Sequence, residues 1–420
     1  MVDSKKYSTL HQHIMSGKII VAITDEEDKI LKLIPVKLQP LIITTCKHFN
    51  LPVVDTVPVG SSQRRTYLPG NRDIDIFVRF DTRDRSLLEN FASQVIPTLA
   101  QILKTSYEIK YAENPYGVIQ YPLDQSGDYI SIDIVATIWL ASEADLLSIL
   151  PLSGMARTPF HMFYLEQHIK GLEEEVRLFK YWAKQKKLYR QSGFTGFISE
   201  LLIIIYESFT NLLTKSDEIA TLTYDFHNRN LKKLRKKYVN FPMILIDPVD
   251  PNRNAAAGIH GILGTLHLRR FVNLAKKSLL SPESIWNEYD LSGNVFTLKL
   301  VFLTSIEIKN DEEYYSRIIK ILGLVFRALE EQQIVLLDAI IDVSTSTLSF
   351  TTDSVGGGFI RIKGPPAHLT DHVERYLKSN HNSWLEEGFY WSKKHQLTVQ
   401  DIVAKKIHIP DLLQSITFIY

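Results

Sequence analysis

Residues 60–77, which read GSSQRRTYLPGNRDIDIF, decide the fold of this chain. The stretch follows a β-rich run at residues 53–59, and its opening Gly-Ser pair is typical of a turn. The DIDI sequence at residues 73–76 alternates polar and apolar residues, which predicts a half-buried strand. Because residues i and i+2 of a strand point to the same face, Asp73 and Asp75 should present two carboxylates side by side.

A second alternating run at residues 129–135 predicts another strand and carries Asp133. If the two strands are neighbours, three carboxylates share one region, and a hard cation such as Mg²⁺ is their usual counter-ion. Three carboxylates can hold two Mg²⁺ ions that clamp the attacking and leaving oxygens of phosphoryl transfer. An Asp-x-Asp pair alone is more often a solvated strand face. Two features of the context favour a metal–triphosphate site. The preceding Gly-Ser turn can begin a helix whose backbone N–H groups face an anion, and Arg64 and Arg65 are nearby.

Composition and charge define the broad class of protein. The chain has 420 residues, 45% of them hydrophobic, with 48 Lys+Arg against 47 Asp+Glu. This excludes a disordered protein, and the length predicts two to four domains. A net charge of +1 excludes nucleic-acid binding through bulk charge alone. The charge is uneven, however, because residues 151–280 contain 20 Lys+Arg and 11 Asp+Glu, which indicates where a basic surface could lie.

The single cysteine, Cys46, excludes a disulfide framework or a thiolate metal cluster within one chain, and a reducing cytoplasm is the expected location. No signal peptide is recognisable at the beginning of the chain. The longest strongly apolar run covers residues 201–206 and is flanked by Glu200 and Glu207. It is too short to span a bilayer, so no membrane association is expected.

The order of predicted elements indicates a multi-domain α+β protein. A capping box at residues 24–27 should start a helix, and Pro58 should place the strand at residues 53–59 on a sheet edge. Residues 159–238 have helical periodicity. The last third predicts strands at 295–308, 334–343, 348–352 and 359–362, with helices at 312–332 and 368–378. This β-α-β-β-α order suggests an antiparallel sheet with helices on one face. The expected domains are 1–150, 151–280 and 281–420.

Four further segments give the chain a family resemblance. They are RTPFH at residues 157–161, EEVRLFK at 174–180, YAENPY at 111–116 and DPVDPNRN at 247–254. With the Gly-Ser and Asp-x-Asp signature, the chain resembles the archaeal, class I CCA-adding enzymes of the DNA polymerase beta-type nucleotidyltransferases, over about residues 20–275. The resemblance implies an N-terminal palm (head), a helical second domain (neck) and a C-terminal body and tail. It also implies template-independent addition and repair of the 3′ CCA end of tRNA from CTP and ATP, with release of pyrophosphate.

Roles for single residues follow from the same resemblance. Two Mg²⁺ ions would be held by catalytic Asp73, Asp75 and Asp133. The nucleotide ligands would be Ser61, Arg64, His161, Lys180 and Tyr189, with Thr158 and Arg253 as additions. The C-terminal domain would hold the acceptor and T arms of tRNA. Relatives often have Glu at position 73, His at position 114 and Asp at position 156, where this chain has Asp73, Asn114 and Ala156. The sequence leaves the oligomeric state open, a homodimer included.

Each motif also has a purely structural interpretation. His161 could be a core histidine, and Tyr189 could cap a hydrophobic cluster. Lys180 and Arg177 could form a solvated helix face with the glutamates at 173 and 174. The basic run at residues 232–237 is more simply a solvated helix. For the whole chain, the alternatives are a poly(A)-type or small-molecule nucleotidyltransferase, or a catalytically silent RNA-binding protein. Three intact aspartates argue against a silent palm, because crowding charged side chains without a use is unfavourable.

Overall fold

The structure is a computed structural model that describes residues 4–111, 114–123, 128–142, 145–146, 154–189, 193–302, 311–357, 359–407 and 413–419. The chain forms two compact units. The first consists of residues 1–260 and 271–288, and the second of residues 261–270 and 289–420. The predicted division into three domains, at residues 150 and 280, stays a prediction.

In its described residues, the first unit begins with five α-helices and a five-stranded mixed sheet. In chain order these elements are α1 (Ser4–Ile20), α2 (Asp25–His48), β1 (Val53–Val59), α3 (Gly60–Gln63), β2 (Asp73–Phe80), α4 (Arg85–Asn90), α5 (Ile96–Leu103), β3 (Tyr107–Tyr111), β4 (Pro115–Pro122) and β5 (Tyr129–Ile138). The strands lie in the order β1-β2-β5-β4-β3, which confirms that the strand containing Pro58 is at an edge.

One face of this sheet builds the core of the palm. Ile74 and Ile76 of β2 and Ile132 and Ile134 of β5 pack with the apolar side of α2. The start of α2 is fixed as the capping box predicts, because Thr24 Oγ1 accepts a hydrogen bond from the Glu27 backbone N–H at 3.1 Å. Since side chains alternate along a strand, the residues between these isoleucines point to the opposite face.

A helical region completes the first unit. Its elements are α6 (Gly154–His168), α7 (Glu173–Gln185), α8 (Gly196–Tyr206), α9 (Phe209–Thr214), α10 (Ser216–Ile219), β6 (Thr223–Asp225), α11 (Leu231–Lys237), β7 (Ile244–Ile246) and α12 (Gly261–Leu280), the last of which begins in the second unit. Fully buried Trp182 and Phe179 pack against Phe209 and Phe271 with ring centroids 5.6 to 6.4 Å apart. No helix in the described part of the chain is long and apolar enough to cross a membrane.

The second unit confirms the predicted antiparallel sheet. It contains β8 (Asn294–Phe302), α13 (Asp311–Glu330), β9 (Leu336–Asp342), β10 (Thr347–Thr352), β11 (Phe359–Pro366), α14 (Thr370–Ser379), β12 (Ser383–Glu386), β13 (Phe389–His395), α15 (Val399–Lys406) and β14 (Leu413–Ile419). The order β14-β8-β10-β9 and the β-α-β-β-α-β connection give a ferredoxin-like arrangement. Apolar residues of α13 and α15 share a core with this sheet.

The strand predicted at residues 359–362 is present as part of β11 but lies outside this sheet. β11 pairs with β13, and β13 with β12, in a separate three-stranded sheet. A hairpin that was not predicted from the sequence, β12 to β13, follows the helix predicted at residues 368–378, and its turn has positive φ at Glu387 and Gly388. Residues 303–308 of the predicted strand 295–308 lie outside the described residues. The segment from β11 to β13 is thus an insertion between β10 and α15.

Close packing of α14 on this small sheet generates a test of the fold. A Cβ atom at Gly364 would lie 2.5 Å from the ring of Tyr376, whose hydroxyl donates to Ser392 Oγ at 2.7 Å. Gly364→Ala should therefore destabilise the second unit by about 1–3 kcal/mol. Gly323→Ala, within helix α13 with open space around its Cβ, should instead stabilise it by about 0.5–1 kcal/mol. Thermal unfolding midpoints of the two variants should move in opposite directions; a shift in the same direction would contradict this packing.

Candidate active site

The structure brings the three predicted carboxylates to one face of the palm sheet. Strands β2 and β5 are parallel neighbours, with Asp75 directly opposite Asp133. Asp73 lies two residues before Asp75 and so shares its face. Asp73 is exposed, and the other two carboxylates are half-buried. Among the described residues, no group of three His, Cys, Asp or Glu side chains is already arranged to hold a metal ion.

The electrostatics of Asp133 agree with a cation site. Burial raises the pKa of the Asp133 carboxyl above its usual range, the positive charge of Lys110 opposes this, and the negative charges of Asp73 and Glu108 add to it. The ionised form of Asp133 is therefore disfavoured chiefly by burial and, to a lesser extent, by the like charges of Asp73 and Glu108. A divalent cation among oxygen ligands would relieve that repulsion, and the donor set is the one that Mg²⁺ prefers.

The turn after β1 approaches the carboxylates closely. Gly60 has φ +82°, and a Cβ atom there would lie 2.3 Å from Asp75 Oδ2. Only glycine therefore fits at this position without displacing the carboxylate. Ser61 follows in the single helical turn α3, where its carbonyl accepts the Thr66 backbone N–H at 3.0 Å. The Gly-Ser pair thus brings the backbone next to Asp75, and Thr66 closes the turn behind it.

A cavity of about 380 Å³ opens beside Asp75. Five predicted site residues line it, namely Asp75, Arg64, Thr158, His161 and Arg253. Gly60, Arg157 and Phe197 also line it. Asp73, Asp133, Ser61, Lys180 and Tyr189 are not among the described residues of its wall. The cavity is therefore cationic on several sides and has a carboxylate at one end, as a site for a metal-bound anion requires.

His161 and Arg253 are held at the cavity by one buried carboxylate. Fully buried Asp247, in the loop after β7, has both oxygens 2.9 Å from His161 Nε2 and Oδ2 2.6 Å from Arg253 Nη1. Its Oδ1 also accepts the backbone N–H of Val249 at 2.9 Å. Because a carboxylate only accepts, His161 Nε2 must be the protonated nitrogen. The side chain of His161 lines the cavity, so it is not simply a core histidine.

The pKa of Asp247 reflects these contacts. Burial alone would raise it, but the hydrogen bond and charge of His161, the Val249 N–H and the charge of Arg253 lower the pKa of Asp247 to about 2. A parallel contact lies nearby, where Asp250 Oδ2 accepts from Arg157 Nη1 at 3.3 Å. Arg157 and His161 are four residues apart on α6 and so share one helix face. The loop thus places both side chains at the cavity.

Arg64 and Lys180 share a second buried carboxylate. Glu200 of α8 has Oε2 2.8 Å from Arg64 Nη2 and Oε1 3.4 Å from Lys180 Nζ. Burial would raise the pKa of Glu200, but the charges of Arg64 and Lys180 outweigh it and hold the pKa below the usual range. Lys180 is only 3% exposed and Arg177 8%, so the interpretation of these two residues as a solvated helix face is wrong.

Tyr189 lies close to Lys180. The backbone of Tyr189 forms an isolated parallel β-bridge with that of Phe194. A Cβ atom at Gly196 would be 3.3 Å from the Tyr189 hydroxyl and 3.7 Å from Lys180 Nζ. Glycine at position 196 therefore leaves room for both polar groups at the start of α8. Residues 190–192, which follow Tyr189, lie outside the described part.

Sequence reasoning missed the anchoring residues Glu200, Asp247 and Arg157 as members of the site. A lone glutamate inside the apolar helix α8 was the available signal, since a buried carboxylate needs a cationic partner. Asp247 and Arg157 belong to motifs that carried the resemblance but had no individual role. Asn114 and Ala156, at the two positions where relatives often have His and Asp, are both buried.

The basic run at residues 232–237 belongs to α11, whose lysines are exposed while Leu234 packs inward. Arg235 donates to the backbone carbonyls of Phe241 and Thr221. This supports the solvated-helix interpretation for the run, with Arg235 serving the local fold.

The depressed pKa of Asp247 predicts a pH-dependent contribution to stability. A carboxyl shifted from 3.8 to about 2 stabilises the folded state above pH 3.8, by about 2 kcal/mol, and loses this as pH falls towards 2. Asp247→Asn should therefore lower the thermal unfolding midpoint at pH 7, with a gap to the parent chain that narrows below pH 4. Exposed Asp217→Asn should change stability by less than about 0.5 kcal/mol. A difference in unfolding midpoint between Asp247→Asn and the parent chain that stays constant between pH 7 and 3 would contradict the lowered pKa of Asp247.

Comparisons with known proteins show which proteins the chain is similar to. The family model described as "tRNA nucleotidyltransferase, second domain" matches residues 174–286. The CCA-adding enzyme of Sulfurisphaera tokodaii is 28% identical over 389 residues, covering 87% of this chain and 86% of that protein. The CCA-adding enzyme of Halobacterium salinarum strain R1 is 32% identical over 247 residues, covering 56% of this chain and 50% of that protein.

The fold comparison extends the likeness to solved structures. The structure of Cid1, described as an RNA terminal uridylyl transferase, superimposes with a TM-score of 0.50 at 14% identity, covering 69% of this chain and all of that one. At this identity the likeness concerns the nucleotidyltransferase fold alone. The family match lies in the helical region that holds Lys180, Glu200 and Asp247, and the sequence similarity extends over the carboxylate strands. Together these findings confirm the resemblance of the chain to the archaeal CCA-adding enzymes, and its residues 174–286 match the second domain of tRNA nucleotidyltransferases.

Proposed function

We propose that this protein adds and repairs the 3′-terminal CCA of tRNA from CTP and ATP, without a nucleic-acid template, and releases pyrophosphate. The observation that carries the proposal is the opposed pair Asp75 and Asp133 beside a cationic cavity, in a chain similar to CCA-adding enzymes along most of its length. A catalytically silent palm would have no use for crowded carboxylates. The poly(A)-type and small-molecule alternatives are less favoured, because the curated relatives are CCA-adding enzymes.

The nucleotidyltransferase fold implies dependence on a divalent metal. We propose Mg²⁺ in two positions, held by Asp73, Asp75 and Asp133, whose oxygen donors and mutual repulsion fit such a cation. When bound, the metal would lower the pKa of the attacking hydroxyl and neutralise charge on the phosphates. The protein itself would supply no covalent nucleophile, so its contribution would be positioning and electrostatic stabilisation.

Different side chains around the cavity would contact different parts of the nucleotide. Arg64 and Ser61, next to the carboxylates, suit the triphosphate, since guanidinium and hydroxyl groups donate to phosphate oxygens. His161, Thr158 and Arg253 would contact the rest of the nucleotide from the other walls. Lys180 and Tyr189 are proposed ligands that lie behind the described wall, where Lys180 would act chiefly through its charge.

The tRNA partner is proposed to contact basic side chains of the helical region and the C-terminal domain. Residues 151–280 carry the excess of positive charge, which suits the phosphates of the acceptor arm. The C-terminal domain, residues 281–420, would contact the acceptor and T arms. Double-stranded RNA is recognised mainly by shape, 2′-hydroxyls and phosphates, so this role needs no base-reading motif.

Nucleotide incorporation tests the function directly. The protein is incubated with tRNA transcripts that lack CCA, and labelled CTP and ATP are supplied singly and together. We expect two additions with CTP alone and a third, an A, only when both nucleotides are present. Transcripts that end in C or CC serve as controls for stepwise repair. An unlimited A tail would support the poly(A)-type alternative, and no addition would reject transfer to tRNA.

Substitution of a metal-binding carboxylate tests the site. Asp75→Asn keeps the size of the side chain but removes the charge that would bind the cation, so it should lower both C and A addition at least about 100-fold. Binding of tRNA, measured by filter retention, should remain within about twofold, since Asp75 lies on the nucleotide side. Asp55→Asn on β1, a carboxylate that pairs with Arg79 and does not line the cavity, is the matched control and should keep normal rates. Near-normal addition by Asp75→Asn would reject the metal assignment.

A further inference from the structure

Behind the cavity wall, one buried carboxylate joins three segments of the chain. Glu200 is fully buried on α8, with Arg64 Nη2 2.8 Å from Oε2 and 3.1 Å from Oε1. Its Oε1 also accepts the Thr66 hydroxyl, and Lys180 Nζ lies 3.4 Å away. Glu200 thus connects the turn after β1, helix α7 and helix α8 through charge-assisted hydrogen bonds, which are stronger than neutral ones.

The rest of the Arg64 guanidinium is poorly satisfied. Its Nη1 donates to the sulfur of Met162 at 2.9 Å, and a thioether is a weak acceptor. Its Nε is buried, and no acceptor within the described residues lies in hydrogen-bonding distance. Arg64 and Met162 both line the cavity that contains Asp75. Because Nη1 donates only to a weak acceptor at the cavity wall, it can form a stronger hydrogen bond with a phosphate oxygen in the cavity.

We propose that Glu200 is a positioning residue for the triphosphate: it holds Arg64 through Nη2 so that Nη1 exchanges the Met162 sulfur for a phosphate oxygen. The inference rests on the proposed function, because it takes the cavity as the nucleotide site. Glu200 does not touch the nucleotide. It acts through Arg64, and through Thr66, whose backbone N–H closes the turn that carries Ser61.

Charge placement explains why a carboxylate can serve an anion site. Glu200 lies behind Arg64 as seen from the cavity, so the positive group stands between the two anions. Arg64 and Lys180 also bring two positive charges to one carboxylate. The cluster therefore fixes the geometry of Arg64 without cancelling the positive potential that attracts the triphosphate.

The test measures equilibrium binding of CTP and of ATP, each with Mg²⁺, to the full chain. Glu200→Gln keeps the shape but loses the charge that holds Arg64, and we expect the Kd for both nucleotides to rise by about tenfold. The rise should be equal for CTP and ATP, since the triphosphate is common to both. Glu207→Gln, an exposed glutamate at the end of the same helix, is the matched control and should leave both values unchanged. An unchanged Kd in a folded Glu200→Gln variant would overturn the proposal.

A double-mutant cycle separates positioning from general stability. If Glu200 acts through Arg64, adding Glu200→Gln to Arg64→Met should raise the Kd by less than about twofold beyond Arg64→Met alone. If the loss of binding free energy in the double variant equals the sum of the losses in the two single variants, Glu200 has a purely structural role and the proposal is overturned. Where Glu200→Gln fails to fold because it leaves cations buried, Glu200→Asp retains the charge. Its shorter reach should then give an intermediate rise in Kd.

Parallel assays of CCA addition by the parent chain keep the two hypotheses apart. A parent chain that binds CTP and ATP but adds neither to tRNA would reject the proposed function alone, since the binding series still tests Glu200. A parent chain that is active while Glu200→Gln binds normally would reject only the positioning role. A parent chain that binds neither nucleotide would overturn both.

Discussion

The parallel pairing of β2 with β5 is the constraint on which the site depends. Its register sets Asp75 opposite Asp133 and directs Ile74, Ile76, Ile132 and Ile134 into the core on the other face. Since a shift of one residue would exchange the two faces, the buried isoleucines fix the position of the carboxylates. Burial of the isoleucines in the core of the palm therefore compensates for the repulsion between the aspartates on the other face. A divalent cation would offset the repulsion that remains.

Buried carboxylates organise the opposite side of the site in the same way. Glu200 holds Arg64 and Lys180, Asp247 holds His161 and Arg253, and Asp250 holds Arg157. Removing such a carboxylate leaves buried cations without a partner, which is more costly than losing an exposed ion pair. The excess of positive charge in residues 151–280 is thus partly a set of fixed cations facing a cavity, in addition to the exposed lysines of α11.

The sequence predicted the palm well and the C-terminal region only in part, for physical reasons. Alternation in residues 73–76 and 129–135 is local, so it revealed both strands and the faces of their aspartates. The pairing that brings Asp75 opposite Asp133 is non-local, as are the contacts of Glu200 with Arg64 and of Asp247 with His161, and no local pattern encodes them. The hairpin of β12 and β13 was missed because β12 has only four residues and because β11, the other partner of β13, comes before α14.

Manganese binding measures directly whether the opposed carboxylates hold a divalent cation, since Mn²⁺ accepts the same oxygen ligands as Mg²⁺ and is visible by electron paramagnetic resonance. Titration of the full chain with Mn²⁺ in the presence of CTP should give tight binding that is lost in Asp133→Asn and kept in Asp55→Asn, a carboxylate on β1 that pairs with Arg79. Equal Mn²⁺ binding by the parent chain and Asp133→Asn would show that the paired strands do not form the metal site.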